Sequence, residues 1–177
     1  MTLPLPDLAA EFAACLHTAV PPAASPPENP SANGARTGAG AAPANSGAIR
    51  EVEFSAKGFH LDVTVGIDGV VSAAEFLDRK GFALDAITGV DWIGEQEMEV
   101  VYDFFHPAAP WRVVARTRIP RATPVVSSIA KVFPGANWHE REAHDFFGIV
   151  FSGHPQLEPL LLPEDATYHP LKKDFQP

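Results

Sequence analysis

The residues best suited to chemistry lie in one stretch, Trp138-His139-Glu140-Arg141-Glu142-Ala143-His144-Asp145. Histidines among carboxylates raise the prospect of a stand-alone metal-dependent hydrolase, with zinc held between two histidines and a glutamate as general base. The spacing opposes it. A helical zinc pair needs histidines four apart, whereas His139 and His144 are five apart and point about 140° away from each other. Arg141 and Asp145 are four apart, so they are expected to pair along the helix, with Glu142 favoured in its first turn by the helix dipole. The alternative is that these charges reach outward to fix a partner. His154 and His169 each precede a proline and could relay protons, but in an extended, proline-restricted segment they read as turn residues satisfied by backbone. Cys15 has no base or helix N-terminus near it, and a single cysteine supplies neither an internal disulfide nor a cluster ligand set. Gly-rich phosphate loops and a G-x-S-x-G elbow are missing, and no catalytic carboxylate pair stands out from surface charge. No catalysis is expected from the chain by itself, and no cofactor.

The elements that must position this stretch follow from periodicity. Leu8, Phe12, Leu16 and Ala19 recur at helical spacing behind Pro6 and a candidate cap at Asp7, so residues 1–20 read as a short amphipathic helix that docks on the domain or on a partner. Residues 21–48 contain six prolines and nine alanines with one acid and one base, the composition of a flexible linker. From Ile49 the period becomes two. Val52 and Phe54, then Phe59, Leu61, Val63 and Val65, predict two strands joined near Lys57 and Gly58. Ser72 with Glu75 reads as a capping box for a helix over 73–80 that stops at Gly81. Ala83 to Trp92, Glu97 to Phe105 and Trp111 to Ile119 read as strands. Glu97, Glu99 and Asp103 share one face of the second and Arg112, Arg116 and Arg118 one face of the third, which suits cross-strand ion pairing. The acid-free run from Arg112 to Lys131 could instead be a basic patch for an acidic partner.

Thr123 and Pro124 are expected to open a further helix with Val125, Val126, Ile129 and Phe133 as its stripe, ended by Pro134-Gly135. Asn137 with Glu140 resembles another capping box, for a short helix ending by Gly148. The order α-linker-ββα-βββ-αα implies an α+β fold over 49–153, a mixed sheet of about five strands with helices packed on it. From His154 to Pro177 repeated prolines forbid a long helix, so an extended tail is expected. Its leucines and Phe175 must lie against a surface, its own domain in part and a partner mainly.

Composition narrows the function classes. The formal charge of −9 over 177 residues repels phosphates and anionic lipid, so no nucleic-acid partner is expected. No run of about 18 apolar residues occurs and the N-terminal segment lacks a signal-peptide pattern, so no direct membrane span and no export are expected, while the single cysteine fits a reducing compartment.

The string from Asn137 through Phe146-Phe147-Gly148-Ile149-Val150-Phe151-Ser152-Gly153-His154-Pro155 closely resembles the signature of the C-type, 30 kDa subunit family of NADH-quinone oxidoreductase, respiratory complex I. That family shows Glu-Arg-Glu, Asp, Phe-Gly-Ile, Phe and Gly-His-Pro in this order. The likeness continues through Pro163-Glu164-Asp165 and His169-Pro170-Leu171-Lys172-Lys173-Asp174-Phe175, and back to about Ser72. Lys172 stands where arginine is common, and Glu158-Pro159 where two basic residues are common. The resemblance implies a cofactor-free peripheral-arm subunit that supports quinone reduction by NADH coupled to ion translocation. It implies the D-type quinone-site subunit and the B-type and I-type iron–sulfur subunits as partners, on the cytoplasmic side of the inner membrane. Glu140, Arg141, Glu142, Asp145, Gly148, His154, Pro155, Lys172, Lys173 and Asp174 are the partner-interface candidates. The same domain in an energy-converting hydrogenase or formate hydrogenlyase is the alternative.

Overall fold

A computed structural model describes residues 4–18 and 47–176. Five strands form one sheet in the order β1-β2-β5-β4-β3: β1 Ile49–Glu51, β2 Leu61–Thr64, β3 Ala83–Trp92, β4 Glu97–Phe105 and β5 Arg112–Pro120. Every neighbouring pair is antiparallel except β2 with β5, so the sheet is mixed, as the α+β reading requires. Alternation sets its two faces. Met98, Val100, Tyr102 and Phe104 of β4 and Val113, Ala115 and Ile119 of β5 are buried on the helix side. The opposite face carries the charge ladder: Arg118 binds Glu95, Glu97 and Glu99, Arg112 binds Asp85 and Asp103, and Arg116 binds Asp62. The arginines of the acid-free run are thus spent within the sheet rather than offered as a basic patch.

Helix α1, Leu5–Thr18, packs on helix α3, Val70–Arg79. Leu8 and Phe12 are buried, Phe12 stacks on Phe76 at 4.6 Å between ring centroids, and Lys80 pairs with Glu11. Burial of each such side chain contributes about 1.5–3 kcal/mol, so α1 docks on its own domain. The expected linker lies outside the described residues apart from Gly47 and Ala48.

Several local expectations are corrected. The first strand ends at Glu51, and Phe54 belongs to a one-turn helix α2, Phe54–Lys57, closed by Gly58 at φ 78°. Helix α3 starts at Val70 behind Gly69 without a side-chain cap, because burying Val70 outweighs the Ser72-Glu75 box. Its stop is at Gly81, φ 82°, as expected. The segment after Pro124 is not a helix: Val125–Ser127 is a strand, β6, paired in parallel with β7, Val150–Ser152, while Ile129 and Phe133 are buried in the turns beyond. Two adjacent β-branched valines fit a strand edge better than a helix. Helix α4, Ala136–Phe147, follows, and its Asn137 caps nothing.

Candidate functional site

Two close approaches fix the C-terminal end of helix α4. A Cβ on Gly89 of β3 would come within 2.5 Å of the Phe147 ring, so glycine there lets the helix lie close to the strand. The helix stops at Gly148, φ 72°, where a Cβ would lie 2.6 Å from the His169 ring. Glycine is required twice over, by conformation and by the tail passing next to it.

The four charged residues of α4 point to three different places. Glu140 is fully buried, accepting hydrogen bonds from the Ser128 hydroxyl at 2.6 Å and the Ile129 N–H at 2.7 Å. Burial pushes its carboxyl up to about 7, although both hydrogen bonds oppose the rise. Arg141 does not pair with Asp145. Its guanidinium donates to the carbonyls of Glu158 and Pro159 at 2.9 and 2.7 Å. Asp145 Oδ2 accepts three successive backbone N–H groups, from Leu160, Leu161 and Leu162, at 2.9, 2.7 and 3.1 Å. Burial raises this carboxyl, but the three donors outweigh burial and hold it below the usual range. Glu142 alone faces solvent. The expected helical ion pair is replaced because a chain with three unpaired N–H groups needs an acceptor more than a surface arginine needs a partner.

The tail therefore lies along its own domain at a series of polar anchors. His154 Nδ1 accepts from the Gln156 N–H while Nε2 donates to the Asn137 carbonyl, and His169 Nδ1 donates to the Asp145 carbonyl. Both histidines are satisfied by backbone, as turn residues. Leu171 N–H donates to the Phe146 carbonyl. The last anchor is a clasp: buried Asp91 of β3 takes Arg121 in a bidentate pair at 2.7 and 3.0 Å and accepts the Lys173 N–H at 2.8 Å, while Arg121 also binds Asp174 at 2.6 Å. The paired guanidinium is the main cause that lowers the Asp91 carboxyl. These anchors hold the backbone and leave apolar side chains outside: Leu161, Tyr168 and Leu171 are 61%, 44% and 51% exposed.

Of the ten candidate residues, Glu140, Arg141, Asp145, Gly148, His154 and Asp174 are engaged inside the chain, and Lys173 is engaged through its backbone. Glu142 and Pro155 face outward, and Lys172 is half-buried. Asp91, Arg121 and Ser128 were not singled out by sequence. A signal for Asp91 existed: it shares the inner face of β3 with Ile87 and Gly89, and a carboxylate at a core-facing position demands a partner. Among the described residues no group of three or more His, Cys, Asp or Glu could hold a metal ion, and no helix is long and apolar enough to cross a membrane.

The described residues thus form a small mixed sheet whose charges serve its own cohesion, with an anchored tail that turns Leu161 and Leu171 outward. Residues 63–177 match the family described as respiratory-chain NADH dehydrogenase, 30 kDa subunit, and the chain belongs to that family. It is 41% identical over 119 residues to the C-type subunit of NADH-quinone oxidoreductase from Roseiflexus castenholzii, covering 64% of this chain and 68% of that one. It is 38% identical over 94 residues to the C-type subunit of F(420)H(2) dehydrogenase from Methanosarcina mazei, covering 52% and 60% of the two chains. Among solved structures it is similar to a chain of the membrane-bound sulfane sulfur reductase, an archaeal respiratory membrane complex (TM-score 0.61, 29% identity, 66% of this chain and 71% of that chain). It is also similar to the trypsin-resistant fragment of Nqo5 (TM-score 0.50, 28% identity, 55% and 82%).

Proposed function

We propose that this chain braces the quinone-reducing module of a complex I-type oxidoreductase, with the D-type quinone-site subunit and the B-type and I-type iron–sulfur subunits as its neighbours. It works as a peripheral subunit on the cytoplasmic side of the membrane, supporting electron transfer from NADH to quinone coupled to ion translocation. The observation that carries this reading is the anchored tail, which lies in the family-matched region and turns Leu161, Tyr168 and Leu171 to solvent. Apolar side chains held outward by polar anchors form a preorganised docking ridge, because the ordering cost is met before a partner arrives. In this reading Glu142, Pro155, Lys172 and Lys173 touch the partner, while Arg141, Asp145, Gly148, His154 and Asp174 shape the ridge and Glu140 supports the helix beneath.

Affinity purification of the full-length tagged chain from its native membranes tests this. The expected result is recovery of a quinone-site subunit and NADH-driven quinone reduction, both strongly reduced by Leu161→Asp with Leu171→Asp. Recovery of the chain alone overturns it. The likeness to an F(420)H(2) dehydrogenase subunit and to a sulfane sulfur reductase chain favours a second reading, a relative with another electron donor. Recovery of a hydrogenase-type large subunit in place of NADH-oxidising subunits would select that reading.

A further inference from the structure

β3 is an edge strand, and beyond the bulge between Leu84 and Ala86 its register with β4 runs unbroken from Ala86 to Trp92. Among the described residues its outer side bonds to no other backbone. Edge strands are ordinarily protected by lysine, proline, a bulge or an inward-facing charge. From Ala86 to Trp92 there is no lysine or proline, and the only charge, Asp91, is neutralised by Arg121. Beside this edge an open groove of about 510 Å³ runs along the contact of β3 with α4, lined by Ile87, His139, Glu142, Phe146, Phe147 and Leu171 among others. An unprotected edge beside an apolar groove is the geometry that accepts an added strand, with main-chain hydrogen bonds along the edge and alternate side chains in the groove.

The occupant can be narrowed. Residues 19–46 of this chain hold no apolar side chain larger than alanine other than Val20 and prolines, so they cannot fill the groove. A second copy would set like charge against like, since each chain carries a net −9 and brings the same Glu142 to the groove. Glu142 is exposed and makes no ion pair among the described residues, leaving a carboxylate at the lip with His139 beside it in the lining and no lysine or arginine there. We propose that β3 receives an extended segment of a neighbouring subunit, apolar at alternate positions and carrying a lysine or arginine opposite Glu142, which adds a sixth strand to the sheet. This inference rests on the proposed place in a multisubunit oxidoreductase and specifies how one neighbour is held.

Hydrogen–deuterium exchange on the wild-type full chain, alone and within the purified complex, provides the test. The outward amides between Ala86 and Trp92 should exchange freely in the isolated chain and at least about tenfold more slowly in the complex. Glu142→Lys, on an exposed position, should leave the thermal midpoint of the isolated chain unchanged while lowering partner recovery about tenfold, with Glu142→Gln in between. A wild-type complex that assembles with unchanged exchange along β3 overturns the added strand and leaves the proposed function standing. Protection that grows with concentration in the isolated chain would mean a second copy pairs there, and overturns it too. A wild-type chain that joins no oxidoreductase complex removes both.

Discussion

Replacing Asp145 with alanine should release the middle of the tail. One oxygen of this carboxylate accepts all three N–H groups of Leu160, Leu161 and Leu162, at 2.7 to 3.1 Å. Each donor left unmatched when buried costs about 1–3 kcal/mol. Leu160 and Leu162 are half-buried and Leu161 is exposed, so water relieves part of the penalty and the low end applies. The sum is about 3 kcal/mol of tail docking, or roughly 10²-fold in its opening equilibrium. The substitution Asp145→Asn keeps an oxygen in place but loses charge assistance, so about half the loss is expected. Native-state hydrogen exchange at residues 160–162 reads the effect directly, and trypsin cleavage after Lys172 or Lys173 reads it in a gel. In the wild-type chain the carboxyl is held below its ordinary value, so its contribution is complete above pH about 4 and is lost as pH falls through that lowered value. Unchanged protection at residues 160–162 in Asp145→Ala would refute the reasoning, since local backbone preference and not the carboxylate would then hold the tail.

Two other substitutions test buried charge. Glu140 has its carboxyl raised from 4.5 to about 7, so the folded state binds the proton more tightly and stability falls as pH rises through that interval. Urea unfolding should therefore find Glu140→Gln equal to wild type near pH 5 and more stable at pH 8 by up to about 3 kcal/mol; a difference independent of pH would contradict the assignment. Arg121→Ala leaves Asp91 buried without its counter-ion, which should cost about 3–5 kcal/mol and free the tail beyond Leu171. Recovery of stability in a second variant carrying both Asp91→Asn and Arg121→Met would separate loss of the pair from loss of packing, and equal instability of the two variants would count against the clasp.

The strands of the meander were readable because alternation in β3, β4 and β5 is long and each face has one character. Glu99 opposite Arg118 follows from register alone. What sequence could not supply was any contact whose partner is a backbone group far along the chain. The Asn137-Glu140 pair has the form of a capping box, yet Glu140 turns inward to Ser128 and Ile129, because a buried segment lacking an acceptor competes better than a solvated helix end. Arg141 and Asp145 have the spacing of a helical pair, and the tail draws both away. The same blindness hid β6, whose partner β7 is three residues long and lies beyond α4. Val125 and Val126 at the head of an apolar stripe look helical until that partner is known.

The order of strands also dictates an order of assembly. β3, β4 and β5 are joined by the short connections 93–96 and 106–111, and they pair with their immediate chain neighbours. β2 reaches β5 only by closing a loop of about fifty residues, Leu61 against Val113, in parallel. Closing that loop costs chain entropy before any contact repays it, whereas the meander repays each short loop at once. The meander is thus expected to be the kinetic nucleus, with β1, β2 and α1 condensing on it late. In stopped-flow kinetics, substitutions in β4 such as Val100→Ala should slow folding, while those in β2 such as Val63→Ala should chiefly speed unfolding; the reverse pattern would contradict this order. On the ribosome the N-terminal helix, first to be made, is among the last parts to find its place.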